Sequence, residues 1–337
     1  MRRPRIAALI LALGLLASVG LTARAAPREP TPLRGAPLGA ETGLKLLIAD
    51  DPPLVLDVDT GEVAPSGVQA HGAGPVWVVG VGGRGAAVVG GADLYAVRGP
   101  EALVAPLGAG TDVWPAADGR SAWVQDTEAR ARCTLRRVGL GGRKLRAARP
   151  FPCATTTDPP GGSLGLVVGR TRIVDPRTGR TVLRTRWGVV AASGSKLVLA
   201  GPGNGFTLLD GKTRRERRLP WPSILPFADR PAVDPRGRFV ALAFAVPAWR
   251  GGGSQVLDVW LLDTTTGKLT QLPGMPAFVS LKRTDIAWTH DGRLVLLGES
   301  GGRDVVAVWR PGQARLALKT VNLPERDGGS DSFAPLG

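Results

Sequence analysis

A short unit recurs along this 337-residue chain and restricts it to folds made of many small antiparallel sheets. The unit is an apolar strand, a turn built on Asp or Gly, a basic residue and a second apolar strand. One copy reads Val113-Trp114-Pro115-Ala116-Ala117-Asp118-Gly119-Arg120 before Ser121-Ala122-Trp123-Val124. Another reads Pro231-Ala232-Val233-Asp234-Pro235-Arg236-Gly237-Arg238 before Phe239-Val240-Ala241-Leu242. A third reads Ile286-Ala287-Trp288-Thr289-His290-Asp291-Gly292-Arg293 before Leu294-Val295-Leu296-Leu297. Fainter copies lie at Gly83-Arg84, at Asp158-Pro159-Pro160-Gly161-Gly162 and at Gly194-Ser195-Lys196. Between positions 84, 120, 162, 196, 238 and 293 the steps are 36, 42, 34, 42 and 55 residues. Such steps bracket the length of one four-stranded propeller blade.

A second turn alternates with the first. It appears as Leu56-Asp57-Val58-Asp59-Thr60-Gly61, Val174-Asp175-Pro176-Arg177-Thr178-Gly179 and Leu262-Asp263-Thr264-Thr265-Thr266-Gly267. Reduced forms stand at Val97-Arg98-Gly99, Gly141, Leu209-Asp210-Gly211 and Trp309-Arg310-Pro311-Gly312. Asp accepts backbone hydrogen bonds and Gly takes positive φ, so both suit tight turns between antiparallel strands. Seven outer turns against six clear inner ones leave the first unit, Gly43 to Ser66, without an innermost strand. The pattern predicts an all-β chain forming one β-propeller over residues 41–324, with seven blades, six being the alternative count. No single blade can bury its apolar surface alone.

The units at 233–241 and 287–295 resemble the WD40-like repeats of TolB-type propellers, and the turn at Leu262–Lys268 is similar to the second turn of those repeats. The resemblance is close over 231–312 and extends in outline over 43–220. It departs in the second, fourth and fifth units, where the Asp-Gly pair is missing or altered. It implies a fold used as a binding platform and also for varied chemistry, so function has to be argued from the site.

The ends of the chain point outside the cytoplasm. Arg2, Arg3 and Arg5 precede an unbroken apolar run from Ile6 to Leu21, and Ala23-Arg24-Ala25 supplies an A-x-A cleavage site. Residues 1–25 therefore read as a signal peptide, the alternative being a retained membrane anchor. Residues 26–40, rich in Pro, Gly and Ala, read as a linker, and 325–337 as a disordered tail. The expected location is extracytoplasmic, secreted or associated with the cell envelope. Export suits the two cysteines, Cys133 and Cys153, which flank a glycine turn and would meet at the open end of one hairpin as a disulfide. A metal site would need more ligands than two thiols and the two distant histidines, His71 and His290.

Net charge is +15, and four of the arginines lie in residues 1–25, leaving about +11. Arg214, Arg215, Arg217 and Arg218 form a basic cluster on an outer hairpin and are the candidate anion-contact rim. A second basic cluster spans Arg136 to Arg149. No aromatic residues interleave with these clusters, so nucleic acid is not an expected partner. Membrane contact is expected only if the signal segment is kept.

Three motifs dissolve on inspection. Gly80-Val81-Gly82-Gly83-Arg84-Gly85 matches a dinucleotide fingerprint, but a strand follows it where a helix is required. Gly161-Gly162-Ser163-Leu164-Gly165 matches a nucleophile elbow, yet Asp158-Pro159-Pro160 before it cannot be a central strand. Asp57-Val58-Asp59-Thr60-Gly61-Glu62 has the alternating acids of a calcium loop but not its distal ligands. No catalytic, cofactor or metal residues emerge. The expected function is a non-enzymatic propeller binding a protein or an anionic envelope component. The alternative is a propeller hydrolase or lyase with carboxylates or a metal at the central channel, for which Asp118, Asp234 and Asp285 would have to converge.

Overall fold

The computed structural model describes residues 29–39, 41–69, 76–82, 85–91, 93–128, 132–154, 162–201, 205–246, 255–325 and 332–337. The signal segment and His71 lie outside them. Each repeat unit folds as a meander of short antiparallel strands. The second comprises Trp77–Gly82, Ala86–Gly90, Leu94–Arg98 and Leu103–Gly108. The third comprises Asp112–Pro115, Ser121–Glu128, Arg132–Gly139 and Lys144–Phe151. The fifth comprises Gly188–Ser193, Lys196–Gly201, Gly205–Asp210 and Glu216–Leu219. In each, sequence order is spatial order. The fourth sheet shows Leu166–Val168, Arg172–Val174 and Thr181–Arg184 among the described residues.

The sixth meander is Phe227–Val233, Phe239–Ala245, Gln255–Asp263 and Lys268–Gln271, and the last is Ala277–Trp288, Leu294–Ser300, Arg303–Trp309 and Leu316–Val321. The two merge, together with Thr31–Pro32 and Gly35–Pro37, into one ten-stranded sheet. Ala277–Val279 pairs with Gln255–Leu257, and beyond Ser280 the same long strand shifts register to pair with Leu294–Leu297. Apolar pattern follows position. Central strands such as Gln255–Asp263 are buried on both faces, whereas the outer strand Leu103–Gly108 ends in alternating exposed and buried residues. A 3-10 turn at Gly162–Leu164 is the only helical element among the described residues.

The first meander corrects two expectations together. Lys45–Ile48, Leu54–Asp57 and Val63–Pro65 lack an innermost strand from their own neighbourhood, and Phe333–Leu336 supplies it, antiparallel, with Phe333 opposite Ile48 and Leu336 opposite Lys45. The assignment of 325–337 as a disordered tail is thus corrected over 333–336, where Phe333, Ala334 and Leu336 are buried. Four residues whose partner lies nearly the whole chain away give no local signal. The linker assignment of 26–40 is also revised. Thr31–Pro32 pairs with Ala277–Phe278 and Gly35–Pro37 with Leu316–Leu318, the only parallel pairs among the described residues. Proline is tolerated there because these are sheet edges.

Apolar side chains fill the spaces between consecutive meanders. Leu47 of the first shares a cluster with Ala87 of the second, Val88 of the second with Val124 of the third, and Leu135 of the third with Leu166 of the fourth. The series continues with Ile173 and Leu197, Phe206 and Phe244, and Val259 and Leu296. It returns to its start where Val306 of the last meander joins Leu46 of the first. The structure is an all-β propeller. The expected cysteine pair is present: Cys133 opposes Phe151 in the hairpin register, and Cys133 and Cys153 are joined with Cα atoms 5.2 Å apart. Closing a loop of this length contributes roughly 3 kcal/mol in the chain-entropy treatment.

Because the last strand completes the first sheet, truncating a side chain there should weaken the whole domain. Leu336→Ala is expected to lower unfolding free energy by about 3 kcal/mol in urea titration. A loss under about 0.5 kcal/mol would mean the ring does not depend on that strand.

Candidate functional site

Inner and outer turns leave the sheets at the same end, and a recurrent polar arrangement organises that end. In the outer turn at Asp263, Oδ1 accepts the N–H groups of Thr265 and Thr266, and Gly267 N donates to Asp263 O at 2.7 Å. Gly267 sits at φ 67°, a conformation that favours glycine. Asp57, Asp175 and Asp210 cap their turns in the same way. In the Asp210 turn Arg214 occupies the glycine position, at φ 61°.

In Asp263, Asp210 and Asp57 the other carboxylate oxygen takes the basic residue of the inner turn, whereas Asp175 Oδ2 accepts from Thr178 Oγ1. Arg238 Nη2 lies 2.9 Å from Asp263 Oδ2, Lys196 Nζ 2.6 Å from Asp210 Oδ2, and Lys45 Nζ 3.6 Å from Asp57 Oδ2. The two sequence signals, basic inner turn and acidic outer turn, therefore bond to each other. In the last sheet the signs exchange: Asp291 of the inner turn binds Arg293 at 2.9 Å and Arg310 of the outer turn at 3.0 Å. The hydrogen bond from Lys196 holds the Asp210 carboxyl well below the usual range. Burial pushes Asp263 and Asp291 upward, but their donors, Arg238 for one and Thr289 with Arg293 for the other, outweigh it and leave both lowered.

The inner turns surround a cavity of about 550 Å³ at the mouth of the central channel. Its lining includes Ala117, Asp118, Gly194, Asp234, His290 and Pro335, from five different sheets. Asp118 Oδ1 accepts the N–H groups of Arg120 and Ser121 and the Ser121 hydroxyl, while Oδ2 meets Arg137 Nη2 at 2.7 Å. Burial raises its pKa and these donors more than reverse that, so Asp118 is a firmly ionised acceptor. Asp234 is buried and caps its own turn through Arg236 N–H at 3.0 Å. His290 Nδ1 lies 2.6 Å from Gly337 O. Ser193 Oγ, also in the lining, is buried with no hydrogen-bond partner.

Of the three acids that a channel-centred chemistry would need, Asp118 and Asp234 reach the mouth and Asp285 does not. Asp285 lines a separate, mainly apolar cavity of about 260 Å³ with Phe227, Ala243 and Leu257, towards the opposite ends of the strands. Among the described residues no group of three His, Cys, Asp or Glu is placed to hold a metal ion. A general acid needs a raised pKa, and Asp118 has the reverse. The described residues of the discarded motifs lie in strands and turns. Ala86–Gly90 pairs with Trp77–Gly82, Ser163 lies in the 3-10 turn, and the Asp59 carboxylate accepts from Thr42 and Gly43.

The rim arginines are partly employed between sheets. Arg214 Nη2 donates to Val182 O of the fourth sheet at 3.3 Å, and Arg217 donates to Thr266 O of the sixth. Arg215 and Arg218 are exposed. Arg136 to Leu107 O, Arg149 to Pro176 O and Arg293 to Thr42 O make the same kind of bridge. Sequence reading missed this use, because a carbonyl acceptor on a neighbouring sheet leaves no mark on residue type.

No protein-family model and no curated protein matches this sequence. Among solved structures the chain is similar to TolB-type and WD40 β-propeller proteins. TolB from Acinetobacter baumannii aligns with 87% of this chain and 66% of its own, at 12% identity and TM-score 0.44. A putative TolB from Agrobacterium tumefaciens aligns over 87% and 97%, at 10% identity and TM-score 0.41. A chain of the mitotic checkpoint complex aligns over 96% and 100%, at 14% identity and TM-score 0.47. This chain spans just under two thirds of the Acinetobacter protein.

The lowered carboxylates fix the direction of acid sensitivity. Asp118, Asp175, Asp263 and Asp291 bind protons in the folded state only below the ordinary aspartate range. Their stabilisation is thus complete above the unfolded pKa and is lost as pH falls from about 4 towards the folded values. Unfolding midpoints should be flat between about pH 7 and 5 and drop below about 4. Asp263→Ala should cost about 2 kcal/mol at neutral pH, with the gap to the parent narrowing in acid. A gap independent of pH would show that the Asp263 charge contributes nothing.

Proposed function

We propose that this chain is an exported, seven-bladed, non-enzymatic propeller that binds a protein or another cell-envelope component at its channel mouth, outside the cytoplasmic membrane. The observation that carries the reading is the state of the mouth. Its carboxylates Asp118 and Asp234 are committed to capping turns. Its remaining surface is largely small side chains and turn backbone, with one buried hydroxyl, Ser193 Oγ, left to be satisfied. Such a surface recognises by shape and hydrogen bonding. The imidazole in its lining, His290, is bonded through Nδ1 to Gly337 O.

Support for seven blades comes from the seven apolar clusters that run from one meander to the next and return to the first. Support for export comes from the basic, apolar and A-x-A segments of residues 1–25 and from the Cys133–Cys153 pair. The hydrolase or lyase alternative requires carboxylates free to titrate or to bind a metal, which the turn-capping of Asp118 and Asp234 opposes.

The test is capture from detergent-solubilised envelope extract by the full chain and by Ala117→Trp, which fills the mouth from an exposed position. The parent should retain a defined component that the variant loses about tenfold or more. Equal retention by both would remove the mouth as the binding site. A stoichiometric metal in the purified chain would overturn the non-enzymatic reading.

A further inference from the structure

The positive charge is not spread evenly round the disc. Between Asp112 and Leu219, which covers the third to fifth sheets, there are 21 Lys or Arg against 8 Asp or Glu. That surplus of 13 compares with a net charge of +15 for the entire chain. The outer turns of these three sheets and the residues beside them present Arg143, Lys144, Arg177, Arg180, Lys212 and Arg215, all exposed. Because outer turns leave their sheets at one end, the six lie along one edge of the disc and can face one plane together. The outer turn of the first sheet, by contrast, carries Asp57, Asp59 and Glu62.

A second, independent feature occupies the same edge. Seven large apolar side chains are exposed among the described residues, and four of them stand at the starts of outer strands in three successive sheets. These are Leu103 at 58%, Val104 at 39%, Leu145 at 41% and Val182 at 43% exposure. Each follows directly on an outer turn, at the level of the cations. A soluble polyanion would be met by the charges alone. Cations interleaved with exposed aliphatic groups match the headgroup layer and acyl boundary of a bilayer instead.

We propose that this edge, formed by the outer turns and outer-strand starts of the second to fifth sheets, docks on an anionic phospholipid surface. The inference rests on the fold and is independent of the channel-mouth reading. The apolar N-terminal run can enter lipid by itself, so the readout must be local to the edge. A polarity-sensitive fluorophore is attached in the full chain at Thr181→Cys, and in a control chain at Thr320→Cys on the outer strand of the last sheet. Among the described residues no cysteine is free to compete.

With vesicles of equal parts phosphatidylcholine and phosphatidylglycerol, the label at 181 should shift to the blue and the label at 320 should not. Phosphatidylcholine alone should give no shift. The triple variant Lys144→Glu/Arg180→Glu/Arg215→Glu should need about tenfold more lipid or lose the signal. Leu145→Ser/Val182→Ser keeps every charge, so it tests the edge even if the triple variant fails to fold; it should bind at low salt with the blue shift removed. Equal shifts at 181 and 320, a shift on neutral vesicles, or an unaltered shift in the serine variant would each overturn the proposal. So would silence on vesicles with a response to soluble polyphosphate, which would assign the edge to an anionic polymer.

Discussion

Everything in this molecule depends on a burial problem that no single meander can solve. A sheet of four short strands has two apolar faces and nothing of its own to cover them. Each face is covered by the next sheet, which passes the same requirement on, and a linear array would leave two faces open at its ends. The ring removes both. Closure is made covalently economical by placing one strand of the first sheet at the far end of the chain, so that Phe333–Leu336 hydrogen-bonds to Lys45–Ile48. The aromatic group at the fifth and sixth sheets shows how dense the intersheet packing is. Phe206 stacks on Trp221 at 4.8 Å and meets Phe227 and Phe244 edge-on.

Apolar packing alone does not fix how far one sheet is rotated on the next, and the polar ends of the sheets supply that geometry. One carboxylate does two jobs in the recurrent outer turn: an oxygen caps the turn and the other receives the inner-turn cation of the same sheet. Arginines then reach from one sheet to a carbonyl of its neighbour, as Arg217 does to Thr266. A guanidinium is suited to this because its donors are spread in a plane on a long stem, so it can satisfy a fixed acceptor while its stem covers apolar surface. Trp288 makes the equivalent link from the core side, donating Nε1 to Ala232 O while its ring stacks near Phe239.

How much of this was legible in the sequence follows from the range of the interactions. The turns are local: Asp263 and Gly267 are four residues apart, and both their spacing and their chemistry are visible in a short window. The hairpin disulfide is nearly as local, with Cys133 on one strand and Cys153 just past the end of the next, across one turn. Phe333–Leu336 is the opposite case. Its four residues look like any short apolar remnant after a glycine-rich stretch, and only the missing strand of the first unit hinted that something had to come from elsewhere. Thr31–Pro32 and Gly35–Pro37 were illegible for a further reason: proline and glycine there argue against a strand in general, and only an edge position makes them acceptable. At the candidate site, Asp118 and Asp234 were visible as turn residues, but the burial of Ser193 Oγ without a partner is a property of packing and has no counterpart in residue type.

The two surfaces singled out by the structure share one end of the sheets, and this couples them. Inner turns form the channel mouth near the axis, and outer turns form the cationic edge at the periphery, so whatever lies against the edge also restricts approach to the mouth. The surplus of positive charge is concentrated in the third to fifth sheets, while the first sheet presents acids in the same position. An anionic plane drawn to one side and repelled from the other would meet the disc at a tilt. The mouth would then open towards the side of Asp59 and Glu62, with its own carboxylates Asp118 and Asp234 already capping turns. A partner entering there would have to be accepted by backbone and small side chains, and it would meet favourable charge only if it were basic.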